Sequence, residues 1–447
     1  MGVRQFYGLV EFANFLAGNE PLNDNAGEQL TANGENLFVS VTPGGAGRGM
    51  HVMNGVVYIV SGASLYSVNS AQETAFIGTI ANDPQPVVMS NDNTELMITT
   101  GSTAYSYTVS GGLVTITDTD IATPYTNAYL DSRRVYDKGD EDQFGVTDLN
   151  DATSADALNF AEAEAFGDQL LSIASLNQLV YLLGKESTEA WYTSGVGRPP
   201  LDRQVVIEHG IIGRYARDSI DGRLYFIDHE KAPSLLQGTQ YSPLIVNEAG
   251  RQDGSALGKE WDSYSEAAMA AARVSCYSIE QENFVDFHFP TISKTWTYHE
   301  SSQTFFERTF KSIAAVNVYN RVLMADYSNG KLYELSATNY QSDGDAVTRR
   351  KDLPMISAEM LGADGREILL DRLRFNYQAS ASSEISVTLS KDLSTFSNPR
   401  TFTVSGNGRK TLTGFGKLTE GVIRIETSAD AKVDFVDMSA EITLLDD

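Results

Sequence analysis

The sequence predicts an all-β protein: a β-propeller of six or seven blades followed by a C-terminal antiparallel β-sandwich. Three observations carry this expectation. From about Val41 to Leu335, short apolar runs are punctuated by Gly, Asn and Asp, with hardly any sustained helical period. Apolar strand centres recur at Tyr58, Met97, Val135, Val180, Tyr225, Val285 and Leu323, with gaps of 39, 38, 45, 45, 60 and 38 residues. From Pro354 onward, clean apolar/polar alternation replaces that texture. A repeat near 40 residues with several short strands is what a propeller blade supplies, because each small sheet buries its faces only against its neighbours. A long sandwich would instead show turn signals every 8–12 residues or about that, without the longer period.

The elements follow in order. Residues 1–43 form an N-terminal arm or a propeller-closing segment, and Phe6, Tyr7, Leu9, Phe12 and Phe15 suit either an arm docking on a neighbouring ring or an ordinary closing strand. The propeller is expected over 44–340. It starts at Gly44-Gly45-Ala46-Gly47-Arg48-Gly49, which lacks the Lys-Ser/Thr ending and the helix of a phosphate loop and reads as a strand lead-in. Val56–Val60 and Leu65–Val68 form a hairpin about Ser61-Gly62-Ala63-Ser64. Asp218–Tyr225 and Asp326–Tyr333 resemble one another, and their Asp221-Gly222 and Asn329-Gly330 pairs predict type I′ turns. Asp156–Glu164 is ambiguous between helix and strand, whereas Ser265–Arg273, rich in Ala, predicts a short helix. A polar linker, 341–353, leads to the sandwich, 354–447. Its buried face is predicted from Leu373, Phe375, Tyr377; Ile385, Val387, Leu389; Ile423, Ile425; Val433, Phe435; and Ile442, Leu444.

Composition narrows the function. With 447 residues, 42% hydrophobic and 21% charged, the chain is globular and longer than one core usually supports, so two domains are expected. No stretch approaches the roughly 18 uninterrupted apolar residues of a membrane helix. Phe6–Leu16, broken by Glu11 and Asn14, has neither the basic flank nor the cleavage pattern of a secretory signal. Phe6 occupies the position where a myristoylation motif wants Ser or Thr. Cys276 is the sole cysteine, so packing and hydrogen bonds rather than disulfides must hold the fold. The 33 basic and 59 acidic residues give a net charge of −26, which repels phosphate backbones and anionic lipid but permits DNA to pass without being gripped.

Catalytic signatures are missing. His51, His209, His229, His288 and His299 show no metal-ligand spacing, so no metal or cofactor is expected. No Gly-x-Ser-x-Gly elbow exists, and Gly195-Val196-Gly197-Arg198-Pro199-Pro200 cannot open the helix a dinucleotide fingerprint requires. Acidic pairs are too common among 59 carboxylates to mark a glycosidase. The run Asp137, Asp140, Glu141, Asp142 reads as a solvated loop rather than a calcium site, because its ligand spacing is irregular. Trp191, Trp261 and Trp296 read as packing at blade interfaces rather than as a sugar platform.

A family resemblance emerges along the chain. Asp156–Glu164, Gly167–Leu171, Leu183–Gly195, Val206-Ile207-Glu208-His209-Gly210, Phe287-His288-Phe289-Pro290, Lys294–Tyr298 and Phe306-Glu307-Arg308 occur in an order that resembles the packaged-DNA stabilisation proteins of short-tailed bacteriophages, also called tail hub, nozzle or tail accessory proteins. The resemblance spans roughly residues 40–335. It departs where Asp156 or Ala157 stands in place of a Trp, and where Gln281-Glu282-Asn283 replaces a Gly-His type turn.

The resemblance implies a virion tail component, assembled in the bacterial host cytoplasm, with no catalytic residues. It implies a homo-hexameric ring beneath the portal and its adaptor, or head-completion, ring. The hexamer would extend the DNA channel, retain packaged DNA, and dock a plug or needle and tail spikes or fibres. Contact with the passing DNA would be transient, since an acidic lumen avoids phosphate friction. Asp137, Asp140, Glu141 and Asp142 are expected to supply channel or ring-interface charge. The alternative is a propeller glycan-binding protein or glycoside hydrolase acting on host surface polysaccharide, which predicts a small oligomer with a carboxylate-lined or aromatic pocket.

Overall fold

The computed structural model describes residues 5–11, 34–40 and 45–445, apart from 122, 140, 164–166, 246–255, 309–310, 337–339, 343–344, 354, 359–365 and 392–394. Two compact units emerge, one of 37–298 with 307–334 and the other of 1–36, 299–306 and 335–447.

The first unit carries a seven-bladed propeller. Six blades are four-stranded antiparallel meanders. Their strands are 47–53, 56–61, 64–68 and 74–79 in blade 1; 88–91, 95–99, 104–108 and 112–115 in blade 2; and 127–130, 133–137, 143–146 and 160–162 in blade 3. Blade 4 comprises 170–176, 179–184, 188–193 and 201–207; blade 5 comprises 217–220, 223–227, 233–237 and 240–243; blade 6 comprises 273–279, 282–289, 294–299 and 304–308. Blade 7 has three strands from the end of the propeller sequence, 312–318, 321–326 and 331–336, and takes 34–40 as its next strand. The ring is thereby closed by strands from opposite ends of the propeller sequence, which removes the open edge that a seventh three-stranded blade would leave.

First strands of neighbouring blades lie side by side. Between blades 4 and 5 the link is a side chain: Arg217 Nε donates to Ser172 Oγ at 3.0 Å. All seven strand centres read from the sequence fall on the second strand of a blade, the strand flanked by sheet on both sides. Tyr58, Met97, Val135, Val180, Tyr225, Val285 and Leu323 are all at most 3% exposed. The 60-residue gap reflects an insertion before blade 6 that holds two helices, α1 (Ala256–Asp262) and α2 (Glu266–Ala270). Ser265 caps α2 by accepting from Ala268 N, as the Ala-rich segment predicts, whereas α1 had no readable signal. Asp156–Glu164 resolves into the strand Phe160–Glu162.

Six of the seven turns between first and second strands are two-residue turns with positive φ at both positions: Asn54-Gly55, Asp131-Ser132, Asn177-Gln178, Asp221-Gly222, Glu280-Gln281 and Tyr319-Asn320. That is the type I′ geometry whose twist matches paired strands. Asp221-Gly222 behaves as predicted, but Asn329-Gly330 does not. That pair lies between second and third strands, neither residue has positive φ, and Asp326 organises the turn by accepting from Ser328 N at 2.6 Å. The glycine-rich lead-in is explained by crowding. A Cβ on Gly47 would stand 2.3 Å from the Asp326 carbonyl of blade 7, and one on Gly49 would stand 2.4 Å from the Val87 carbonyl leading into blade 2.

The second unit is a strand-rich antiparallel sheet built on one strand of 23 residues, Ile368–Ser390. That strand pairs with Arg400–Leu418, with Glu420–Thr427 and with Val433–Leu444. Its N-terminal part, 368–379, pairs with Val433–Leu444 and its C-terminal part, 386–390, with Glu420–Thr427, with a register break between Ala379 and Ser383 along Arg400–Leu418. Arg349–Asp352, expected in the linker, is a strand of this sheet paired with Asp352↔Arg424 to Arg349↔Thr427 register. Every residue predicted for the buried face lies in, or packs against, its core. Two residues beyond that prediction, Ile368 and Leu370, are also fully buried, because a register shift between Leu370 and Arg372 reverses the inward parity.

Candidate functional site

The acidic run of blade 3 separates into two kinds of carboxylate. Asp137, at the end of the second strand, is 0% exposed. It accepts from Tyr125 N and Gly139 N, both at 3.1 Å, and from Thr126 Oγ1 at 2.7 Å. Burial raises its pKa, while these hydrogen bonds oppose the rise. Asp137 is thus a turn anchor and presents no charge to solvent, which corrects its placement among surface charges. Glu141 is exposed and Asp142 half-buried, and Asp140 lies outside the described residues. A lone sequence cannot tell these carboxylates apart, because the distinction depends on backbone N–H groups brought from residues 125–126.

Blade 3 also exposes apolar side chains. Leu149, Leu158 and Phe160 are 60%, 59% and 37% exposed, and Lys138 Nζ sits 5.0 Å from the centre of the Phe160 ring. Arg198 pairs with Asp156 at 2.8 Å, tying this region to the rigid 194–200 loop, where Val196 is 70% exposed. Exposed apolar groups rimmed by charge mark contact surfaces.

The expected N-terminal arm is distributed differently. Phe6, Tyr7 and Leu9 fall on the strand Gln5–Glu11, which pairs antiparallel with Ser439–Leu444 at the edge of the C-terminal sheet. Phe12 and Phe15 lie outside the described residues. The strand that joins the propeller is 34–40.

The tryptophans are structural. Trp261 of α1 is 1% exposed and meets Phe287 and Phe289 edge-on at 5.5 and 5.1 Å. Trp191 meets Phe144 of the neighbouring blade at 5.2 Å, and its Nε1 donates to Glu189.

Folding also gathers groups that sequence spacing left apart. His209, Asp228 and Glu230 place their ligand atoms within 4.8 Å of one another. His209 Nδ1 lies 3.8 Å from Asp228 Oδ2, and the His209 ring stacks on Tyr241 at 3.6 Å with 5° between planes. The only hint in the sequence is that His209 belongs to the Val206–Gly210 segment.

With a propeller that begins at strand 34–40 and no catalytic constellation among the described residues, comparison with known families becomes decisive. The family described as Bacteriophage P22 Gp10, beta-propeller, matches residues 13–340. The chain belongs to this phage stabilisation family. It is accordingly a structural protein of the phage tail, a virion component that assembles with other virion proteins. No helix among the described residues is long and apolar enough to cross a membrane. None of the curated proteins matches the sequence significantly.

Among solved structures, the extracellular domain of the hybrid two-component system BT4673 from B. thetaiotaomicron aligns with 9% identity and TM-score 0.47, over 86% of this chain and 55% of that one. The Neurospora crassa Pan2 WD40 domain aligns with 9% identity and TM-score 0.45, over 69% and 97%. PorZ of Porphyromonas gingivalis aligns with 12% identity and TM-score 0.38, over 69% of this chain but only 38% of that one.

Proposed function

We propose that this protein forms a homo-hexameric tail hub, or nozzle, below the portal and adaptor ring. The hub extends the DNA channel, retains packaged DNA and docks a plug or needle and tail spikes or fibres. The observation that carries the reading is the family match across the propeller, 13–340, in a chain of net charge −26. Six such chains create a strongly negative ring that repels phosphate, so DNA slides past without stopping. In a closed ring each subunit offers two different surfaces to its neighbours, so function resides in shape and contact rather than in a catalytic motif.

Within this proposal, Glu141 and Asp142, with Asp140 beside them, supply channel or interface charge, and the apolar group Leu149, Leu158 and Phe160 supplies contact area. The role of Phe6, Tyr7, Leu9, Phe12 and Phe15 in docking is part of the same proposal, since an edge strand is the element most easily shared with another chain. Host-cytoplasmic assembly follows from the virion role. Native mass spectrometry and negative-stain imaging of the purified protein, alone and with adaptor ring, test the reading. Rings of six copies support it. A monomer that cleaves or binds host surface glycans overturns it. Glu141→Lys with Asp142→Lys is expected to weaken ring assembly or slow DNA release, read from the fraction of hexamer and from ejection kinetics.

A further inference from the structure

We infer that His209, Asp228 and Glu230 form a binding site for one divalent transition-metal cation, of which Zn2+ is the type, that staples the segment following blade 4 to the turn between the second and third strands of blade 5.

The site is built by backbone before any ion arrives. His229 N donates to Gly210 O at 3.1 Å, Gly210 N donates to His229 Nδ1 at 3.2 Å, and Ile212 N donates to Ile227 O at 3.1 Å. Ile211 and Asp228 form an isolated antiparallel bridge. Gly210 has no room for a side chain, because a Cβ would stand 2.5 Å from Glu186 N. These contacts fix the two segments at a separation set by the main chain.

The donor atoms then converge. Asp228 is fully buried, and its Oδ1 is committed to the Glu230 and Ala232 N–H groups at 3.0 and 2.8 Å. Its Oδ2 accepts from Tyr241 OH and, at 3.3 Å, from Ser234 Oγ, and faces His209 Nδ1 across 3.8 Å. That gap is too long for a hydrogen bond and short enough for both atoms to reach one ion at about 2.0–2.2 Å from each. His209 Nδ1 is itself shielded from solvent and has no hydrogen-bond partner among the described residues. A buried nitrogen lone pair without a partner is unfavourable unless something occupies the gap. Stacking on Tyr241 holds the imidazole plane, and the Tyr241 hydroxyl orients the carboxylate, the outer-shell arrangement that ligating groups commonly show. Glu230 is exposed and brings a carboxylate oxygen within 4.8 Å of the other two ligand atoms. His229 is not a ligand: its Nδ1 accepts from Gly210 N, which leaves the proton on Nε2.

One imidazole nitrogen and two carboxylate oxygens favour Zn2+ or Mn2+ over Ca2+ or Mg2+, which take oxygen ligands. The inference is independent of the hexamer, because all three ligands lie in one chain.

The test uses the untagged full-length protein, stripped with chelator, desalted and loaded with Zn2+, Mn2+, Ca2+ or Mg2+ in turn. Metal content is measured by mass spectrometry and unfolding temperature by calorimetry. The expected result is one Zn2+ per chain with a raised unfolding temperature, no such rise with Ca2+ or Mg2+, and at least a tenfold loss of Zn2+ affinity in both Glu230→Gln and His209→Gln. Glu230 is exposed, so Glu230→Gln folds and decides the matter if His209→Gln does not. Less than stoichiometric Zn2+ in the wild type, equal uptake by wild type and Glu230→Gln, or an equal rise with Ca2+ overturns the assignment.

Discussion

The two units are both antiparallel sheet, yet their interiors are of different kinds. The C-terminal unit buries Leu373, Phe375, Ile385, Val387, Ile423 and Ile442 completely, and among its described residues no carboxylate is buried. The propeller buries Glu95, Asp137, Glu189, Asp228 and Asp286, with Arg134 beside Glu95 and His288 buried near Arg273 and Arg308. The sheet built on one long strand buries an apolar face together with two cations, Arg349 and Lys351. Seven small blades must also anchor their turns to neighbouring segments, where backbone N–H groups gather and a carboxylate can satisfy several at once. Apolar packing with two buried cations therefore characterises one unit and buried carboxylates the other, and the two should respond differently to mutation and pH.

The largest effect is expected at Arg134. Its side chain is 2% exposed, pairs with Asp92 at 3.3 Å and donates to the Glu95 carbonyl at 2.9 Å. Arg134→Ala leaves buried acid uncompensated and should cost about 3–5 kcal/mol in denaturant unfolding. The matched truncation in the other unit, Phe375→Ala, should cost ~3–5 kcal/mol through a cavity alone and should be insensitive to salt. If Arg134→Ala costs less than about 1 kcal/mol, the contrast between the units is wrong.

His288 gives the pH test. It is 1% exposed, its Nδ1 meets Thr295 Oγ1 at 2.9 Å, and burial pushes its pKa down to about 3. The folded state thus binds fewer protons than the unfolded state below about pH 6.5. The contribution is fully present above that pH and is lost as pH falls toward 3, on the order of a few kcal/mol. Asp218 has the opposite sign: burial raises its pKa to about 6, so its contribution is present below about pH 4 and lost as pH rises through 6. His288→Gln should flatten the acid limb of stability against pH, and an unchanged limb would assign the acid sensitivity elsewhere.

Smaller effects sharpen the account of blade geometry. Gly49→Ala should cost about 1–3 kcal/mol, since the added methyl meets the Val87 carbonyl between blades 1 and 2. Conversely, Glu280-Gln281 holds two non-glycine residues at φ of 52° and 73°. Replacing the pair by Asn-Gly should raise stability by about 1 kcal/mol in thermal unfolding, because that pair suits a type I′ turn.

These positions also show what was readable in advance. The seven second strands were legible because they are sandwiched within their blades and so carry the densest apolar runs. Type I′ turns were legible where Asp-Gly or Asn-Gly marks them, at Asp221-Gly222, which was read, and at Asn54-Gly55, which carries the same signal and was not. Glu280-Gln281 and Tyr319-Asn320 adopt the same geometry with residues that give no signal, since strand twist imposes it. Asp137 looked like a member of an exposed acidic run because its shield, residues 125–126, comes from the segment leading into the preceding strand. Among the described residues of that run, Glu141 and Asp142 are the accessible carboxylates. The pairing of Gln5–Glu11 with the C-terminal sheet and of 34–40 with blade 7 had no local signature.

By itself the sequence determined the all-β class, the blade repeat, the buried face of the C-terminal sheet and the net acidity of the chain. Those properties follow from alternation, spacing and composition, which act over a few neighbouring residues. The tertiary structure alone decided that a strand from residues 34–40 completes the ring, that Asp137 is an internal anchor, and that His209 meets Asp228 and Glu230. Each depends on the register between segments distant along the chain, and that register is fixed only when the blades pack together.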